Sequence, residues 1–229
     1  MAVALDTSDV EQALAWGAML AGRVGLVKVG LELLWSAGTG VVTRLREQGH
    51  EVFMDVKLHD IPATVAGAAR ALGRLDPVLV TAHAGGGRAM LEAGAKSLSD
   101  VAPRARLAGV TVLTSLGEED LESVGVTGGA WETVLLRARL AVEAGCGAIV
   151  CSPLEVAAVR SAIGGEALIV TPGIRSSGTD LGDQRRTLGP AEALAAGADV
   201  LVVGRPITRA QDPVRAAEVI VEESLKGRG

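Results

Sequence analysis

The sequence predicts an α/β fold, a (β/α)₈ barrel forming a single domain over residues 1–229. Three observations carry this expectation. Short β-rich runs alternate with stretches of helical spacing along the whole chain. Most of these runs are apolar throughout rather than alternating, as expected for parallel strands covered on both faces. Eight such units fit within 229 residues, and no Pro/Gly/Ser-rich linker or charge shift divides them.

The expected strands are Val3–Leu5, Leu26–Val29, Glu51–Val56, Val78–Ala82, Leu107–Leu113, Ala148–Cys151, Leu168–Thr171 and Val200–Val203. After the first strand, Ser8 with Glu11 reads as a capping box opening a helix from Val10 to Leu20. After the second, helical spacing runs from Val41 to Glu47, and Gly49 stops it. The third strand hands over to a turn carrying Asp60 ahead of Pro62. After the fourth, Gly85-Gly86-Gly87 reads as a turn before a helix from Ala89 to Leu98. After the fifth, Ser115 with Glu118 reads as a second capping box and Gly128-Gly129 as a turn or helix start. Helical spacing then runs from Thr133 to Ala144, closed by Gly145. Ser152-Pro153 and Asp212-Pro213 each place a capping side chain before a proline at the first helical position, and Gly197 stops the helix before the last strand. A doubly wound open sheet is the alternative, but its Gly-rich first βα turn has no counterpart in Asp6-Thr7-Ser8-Asp9. Neither glycine cluster matches GxGxxG or a P-loop.

Composition excludes several functions. A net charge of −5 argues against nucleic acid, whose phosphates demand a basic face. One Phe and no Tyr leave no base-stacking platform. Cys146 and Cys151 show no CxxC spacing and read as reduced core thiols. The chain starts at once with Val3-Ala4-Leu5-Asp6, without a signal-peptide pattern, and no apolar run approaches a membrane span. These features predict a cytoplasmic protein with no membrane partner.

The chemistry is expected at one end. Residues 55–60 read Asp55-Val56-Lys57-Leu58-His59-Asp60, where a buried strand meets a loop, and strand alternation points Asp55 and Lys57 the same way. Lys28 closes another apolar strand. Taken singly, Asp6 suits an N-cap, His83 a structural histidine and His59 a brace for the turn. Together, Lys28, Asp55, Lys57 and Asp60 would form an alternating array of charge. Desolvation makes such an array a poor stabiliser, which favours a chemical role.

The last two βα loops suggest a phosphate site, as barrels often bind phosphate there. Gly204 lets backbone N–H groups approach an anion, Arg205 offers a bidentate fork, and the following helix N-terminus adds its dipole. The stretch from Pro172 to Leu188 carries Arg175, Gln184, Arg185 and Arg186, with Gly173, Gly178 and Gly182 as points of bending. A loop this long in a compact barrel is either disordered or a lid. Arg185 and Arg186 also suit a solvated basic loop.

The segments A-L-D, V-K-V-G, D-V-K-L-H-D-I-P-A-T, H-A-G-G, L-T-S, T-P-G-I-R, D-Q-R-R and V-V-G-R-P-I, in this order from residue 4 to residue 207, resemble those of the orotidine 5′-phosphate decarboxylase family in its bacterial form. The resemblance implies a homodimer of (β/α)₈ barrels that converts orotidine 5′-monophosphate to UMP and CO₂ without metal or cofactor. It implies that Lys28, Asp55, Lys57 and Asp60 form the charged array, with Asp60 and Thr64 reaching across the dimer interface. By the same resemblance Asp6 and Lys28 hold ribose hydroxyls, Thr64 contacts the ribose and Thr114 meets the pyrimidine edge. Arg175, Gln184, Gly204 and Arg205 hold the phosphate, with Gln184 also reaching toward the base. The phosphate-side tyrosine of some relatives has no counterpart in a chain without tyrosine.

Three other functions share parts of this pattern. Mg²⁺-dependent sugar-phosphate decarboxylases and synthases share D-x-K-x-x-D but have E-x-G where this chain has Lys28-Val29-Gly30, and an ammonium cannot ligate Mg²⁺. A Schiff-base aldolase needs a neutral amine, which flanking aspartates disfavour at Lys57. A non-catalytic nucleotide-binding barrel has no need of Lys28, Asp55, Lys57 and Asp60 together.

Overall fold

The computed structural model describes residues 1–174 and 188–226. Eight parallel strands close into a barrel in chain order: β1 (Ala2–Ala4), β2 (Leu26–Gly30), β3 (Glu51–Leu58), β4 (Leu79–His83), β5 (Arg106–Val110), β6 (Ala148–Val150), β7 (Leu168–Thr171) and β8 (Val200–Val203). β8 pairs back onto β1 through Ala2 and Val202, which completes the ring. Around it lie α1 (Val10–Leu20), α2 (Leu31–Ala37), α3 (Gly40–Glu47), α4 (Pro62–Gly73), α5 (Arg88–Ser99) and α6 (Glu118–Ser123). Then come α7 (Gly129–Glu143), α8 (Val156–Ile163), α9 (Pro190–Ala195), α10 (Arg205–Thr208) and α11 (Pro213–Leu225). None of the described helices is long and apolar enough to cross a membrane.

The strands are apolar on both faces because each face meets its own core. Inward residues Ala2, Ala4, Phe53, Leu79, Ala108, Ala148, Val170 and Val202 pack inside the barrel. Outward residues such as Val3, Val27, Val52, Met54, Val80 and Ile149 pack under the helices. The one phenylalanine therefore sits among alanines of β1, β5 and β6, which leave room for its ring inside the barrel. Cys146 and Cys151 are both buried, and burial pushes the Cys146 thiol up to about 12, as befits an inert core group.

The helix boundaries show where local chemistry overrides pattern. The cap of α1 is Asp9, not Ser8: its carboxylate accepts from the Glu11 and Gln12 amides at 3.0 and 3.1 Å. The box expected at Ser115 and Glu118 is also displaced. Gly117 precedes α6, its amide donates to Asp120 at 2.8 Å, and Glu118 instead accepts from the Ala130 amide at the start of α7. Ser152 and Asp212 cap as expected, accepting from the amides of Leu154 and Arg215. Gly49, Gly145 and Gly197 follow helices with φ of +89°, +87° and +109°, where glycine carries little steric cost. β5 ends at Val110 rather than Leu113. Val112 and Leu113 are apolar because they wall the cavity described next.

Candidate active site

Alternation along the strands builds the site directly above the inner core. On β3, Phe53 faces inward and Asp55 follows it two residues later; on β4, Leu79 is followed by Thr81. Lys28 enters from β2, where it pairs in register with Phe53, and its ammonium reaches up to Asp55. A cavity of about 570 Å³ opens here, with Phe53 beneath and Asp6, Lys28, Asp55 and Lys57 in its wall.

The four charges form a continuous chain. The Asp6 carboxylate lies 3.0 Å from Lys28 Nζ, which lies 3.5 Å from Asp55 Oδ2, and Asp55 Oδ1 lies 2.8 Å from Lys57 Nζ. Because Asp9 caps α1, Asp6 is released to pair with Lys28. The chain is sheltered at its centre and open at one end. Side-chain exposure is 10% at Lys28 and 16% at Asp55, against 55% at Asp6.

Lys57 reaches this chain through an irregular backbone. The β3–β4 register passes from Met54↔Val80 to Leu58↔Ala82, so Asp55, Val56 and Lys57 together oppose Thr81. The bulge places Lys57 at φ +49°, a left-handed conformation that costs a non-glycine residue about 1 kcal/mol or more. Strand alternation alone does not predict this strain, although it assigns the correct face. Gly30 serves the opposite end of the array. A Cβ there would lie 3.0 Å from both Asp6 Oδ1 and Lys28 Nζ. Gly30→Ala is therefore expected to displace the Asp6–Lys28 pair and lower kcat/KM about tenfold or more while the protein stays folded. Unchanged kinetics with circular dichroism matching the parent would count against that role.

Burial by itself would push the Asp55 carboxyl up. The Lys28 and Lys57 ammonium groups, with hydrogen bonds from Lys57 and Thr81, outweigh it and hold the carboxyl below its ordinary 3.8. A lowered folded value means that the ionised form favours folding. The contribution is complete above about pH 4 and is lost as pH falls through 3.8 and then through the folded value. Urea midpoints should therefore fall more steeply with acid below pH 4 in the parent than in Asp55→Asn. Parallel curves would refute the assignment.

Thr114, Gly204 and Arg205 line the same cavity. The helix after Gly204 is a single turn, so its dipole is weaker than expected and an anion there would rely on Arg205 and nearby amides. Arg175, Gln184, Arg185 and Arg186 lie outside the described residues, whose flanks Ile174 and Leu188 form a parallel bridge. Asp60 and Thr64 do not line this cavity; both are exposed, and the Asp60 carboxylate accepts from the Ile61 amide at 2.6 Å. His83 lies beside His59, ring centres 5.3 Å apart and the planes tilted by 41°, and burial, then His59, Lys57 and Arg137, push its imidazole down. Among the described residues, no three His, Cys, Asp or Glu side chains are grouped as a metal site would need. Sequence reasoning missed Thr81, because a β-branched residue within an apolar strand signals only strand propensity.

The chain matches, over residues 1–220, the model of the family described as orotidine 5′-phosphate decarboxylase / HUMPS. The chain belongs to this family. A curated relative from Thermobifida fusca, named orotidine 5′-phosphate decarboxylase, is 51% identical over 99% of this chain and 96% of its own. One of the same name from Moorella thermoacetica is 49% identical over 96% and 90%. The crystal structure of orotidine 5′-phosphate decarboxylase from Lactobacillus acidophilus superposes with a TM-score of 0.86 at 36% identity, covering 98% of each chain.

Proposed function

We propose that this protein, working as one barrel domain, decarboxylates orotidine 5′-monophosphate to UMP and CO₂ in pyrimidine biosynthesis, without metal or cofactor. The observation that carries this reading is the unbroken Asp6–Lys28–Asp55–Lys57 chain at the cavity wall. Losing CO₂ from pyrimidine C6 leaves an electron pair in an sp² orbital outside the ring's π system, so no ordinary electron sink exists. The pair stays on C6 as the carbon–carbon bond breaks. The Lys57 ammonium, fixed against Asp55, stabilises that charge and then gives C6 its proton, and solvent restores the proton to Lys57. Lys28 braces Asp55 from the other side. Asp55, ionised beside the departing carboxylate, adds repulsion that is relieved as CO₂ leaves. Asp6 and Lys28 take the ribose hydroxyls, Thr114 the pyrimidine edge, and Gly204 and Arg205 the phosphate, joined by Arg175 and Gln184.

The alternative of a Mg²⁺-dependent sugar-phosphate decarboxylase or synthase of the same superfamily finds less support. Lys28 Nζ lies within 3.5 Å of both Asp6 and Asp55, so an ammonium holds the place that a divalent ion would need between these carboxylates. The reading also places the protein in the cytoplasm, where Cys146 and Cys151 would stay reduced.

The reading includes a homodimer in which Asp60 and Thr64 complete the neighbouring site. Both are exposed, and between them Ile61 is 66% exposed, an apolar residue suited to an interface. Mixing separately inactive Lys57→Ala and Asp60→Ala proteins tests this together with the activity. A hybrid dimer then carries one intact site, and random exchange should restore roughly a quarter of the parent rate. No recovery on mixing, with subunit exchange verified, would refute the shared site. Absence of CO₂ and UMP from the parent protein itself would refute the activity.

A further inference from the structure

We propose that Thr81 is a positioning residue that sets both the backbone of Lys57 and the orientation of Asp55, an inference that rests on the decarboxylase reading above. Thr81 is fully buried, with 0% exposure. Its Oγ1 accepts from the Lys57 amide at 2.8 Å and donates to Asp55 Oδ1 at 3.0 Å. The polarity of these bonds is fixed by chemistry: an amide N–H can only donate and an ionised carboxylate can only accept. One hydroxyl therefore uses its single proton on Asp55 and a lone pair on Lys57.

Position explains why one residue can do both. Thr81 stands opposite the three-residue bulge, between the pairs Met54↔Val80 and Leu58↔Ala82. The left-handed turn at Lys57 takes its amide out of the regular strand pairing, and Thr81 supplies the acceptor that the ladder no longer provides. The same hydroxyl anchors the oxygen of Asp55 that receives the Lys57 ammonium. The ammonium is thus held from its own backbone and from its counter-ion through a single buried group. A threonine retained only for packing would need neither bond.

The test compares Thr81→Val, which keeps shape and loses both bonds, with Thr81→Ser, which keeps the hydroxyl. The valine variant is expected to lose about 10- to 100-fold in kcat, with KM for orotidine 5′-monophosphate changing by less than about threefold. The serine variant is expected to stay within about threefold of the parent in both constants. Parent-like kcat in the valine variant, or equal losses in both variants, would overturn the proposal. Thr81→Ala serves the same comparison should the valine protein not fold. If the parent does not turn over this nucleotide, the decarboxylase reading fails, and Thr81 is then judged by carbon-13 titration of the Asp55 carboxyl. A higher midpoint in the valine variant but not the serine variant supports the positioning role; unchanged midpoints in both overturn it.

Discussion

Replacing Lys57 with alanine is expected to abolish detectable turnover of orotidine 5′-monophosphate while UMP binding stays within about tenfold of the parent. Lys57 lines the cavity with its Nζ against Asp55, and in the proposed reading it is the cation that moves a proton to C6. On the proposed mechanism its loss would remove the charge that stabilises the carbanion and the acid that quenches it. Both contributions arise after the ground state, so they act on kcat rather than on nucleotide affinity. Isothermal calorimetry with UMP and a turnover assay separate the two. Substantial residual turnover in a homogeneous preparation would remove Lys57 as the proton donor.

Arg205→Ala is expected to raise KM and to lower kcat/KM by roughly a thousandfold. Arg205 lines the cavity from the end of β8, beside Gly204, while Lys57 enters from β3. The phosphate it would hold is remote from the bond that breaks. Binding energy from a remote group lowers the barrier only when it positions the reacting centre, here C6 against Lys57. Steady-state kinetics with the full nucleotide check this, and a loss of only a few-fold would count against the assignment.

Much of this molecule is legible in its sequence because a barrel repeats one unit. Each apolar run marks a strand, and the residue where polarity returns marks the mouth, which is how Lys28, Asp55 and Lys57 stand out. What stays hidden is set by detail finer than periodicity. Whether Asp6, Ser8 or Asp9 caps α1 depends on which side chain reaches the free amides; Asp9 does, and Asp6 pairs with Lys28 instead. The left-handed backbone at Lys57 follows from a mismatch between two strands and cannot be read from either one. Thr81 is invisible for the same reason: its importance lies in what faces it across the sheet. The apolar run through Leu113 predicts a longer β5 because wall residues of a cavity and strand residues of a core share the same composition.

The central claim is tested most directly by incubating the purified protein with orotidine 5′-monophosphate in the presence of excess EDTA and following the loss of the substrate's ultraviolet absorbance as UMP forms. The account predicts the same rate with and without chelator. A rate abolished by EDTA and restored by Mg²⁺ would contradict it.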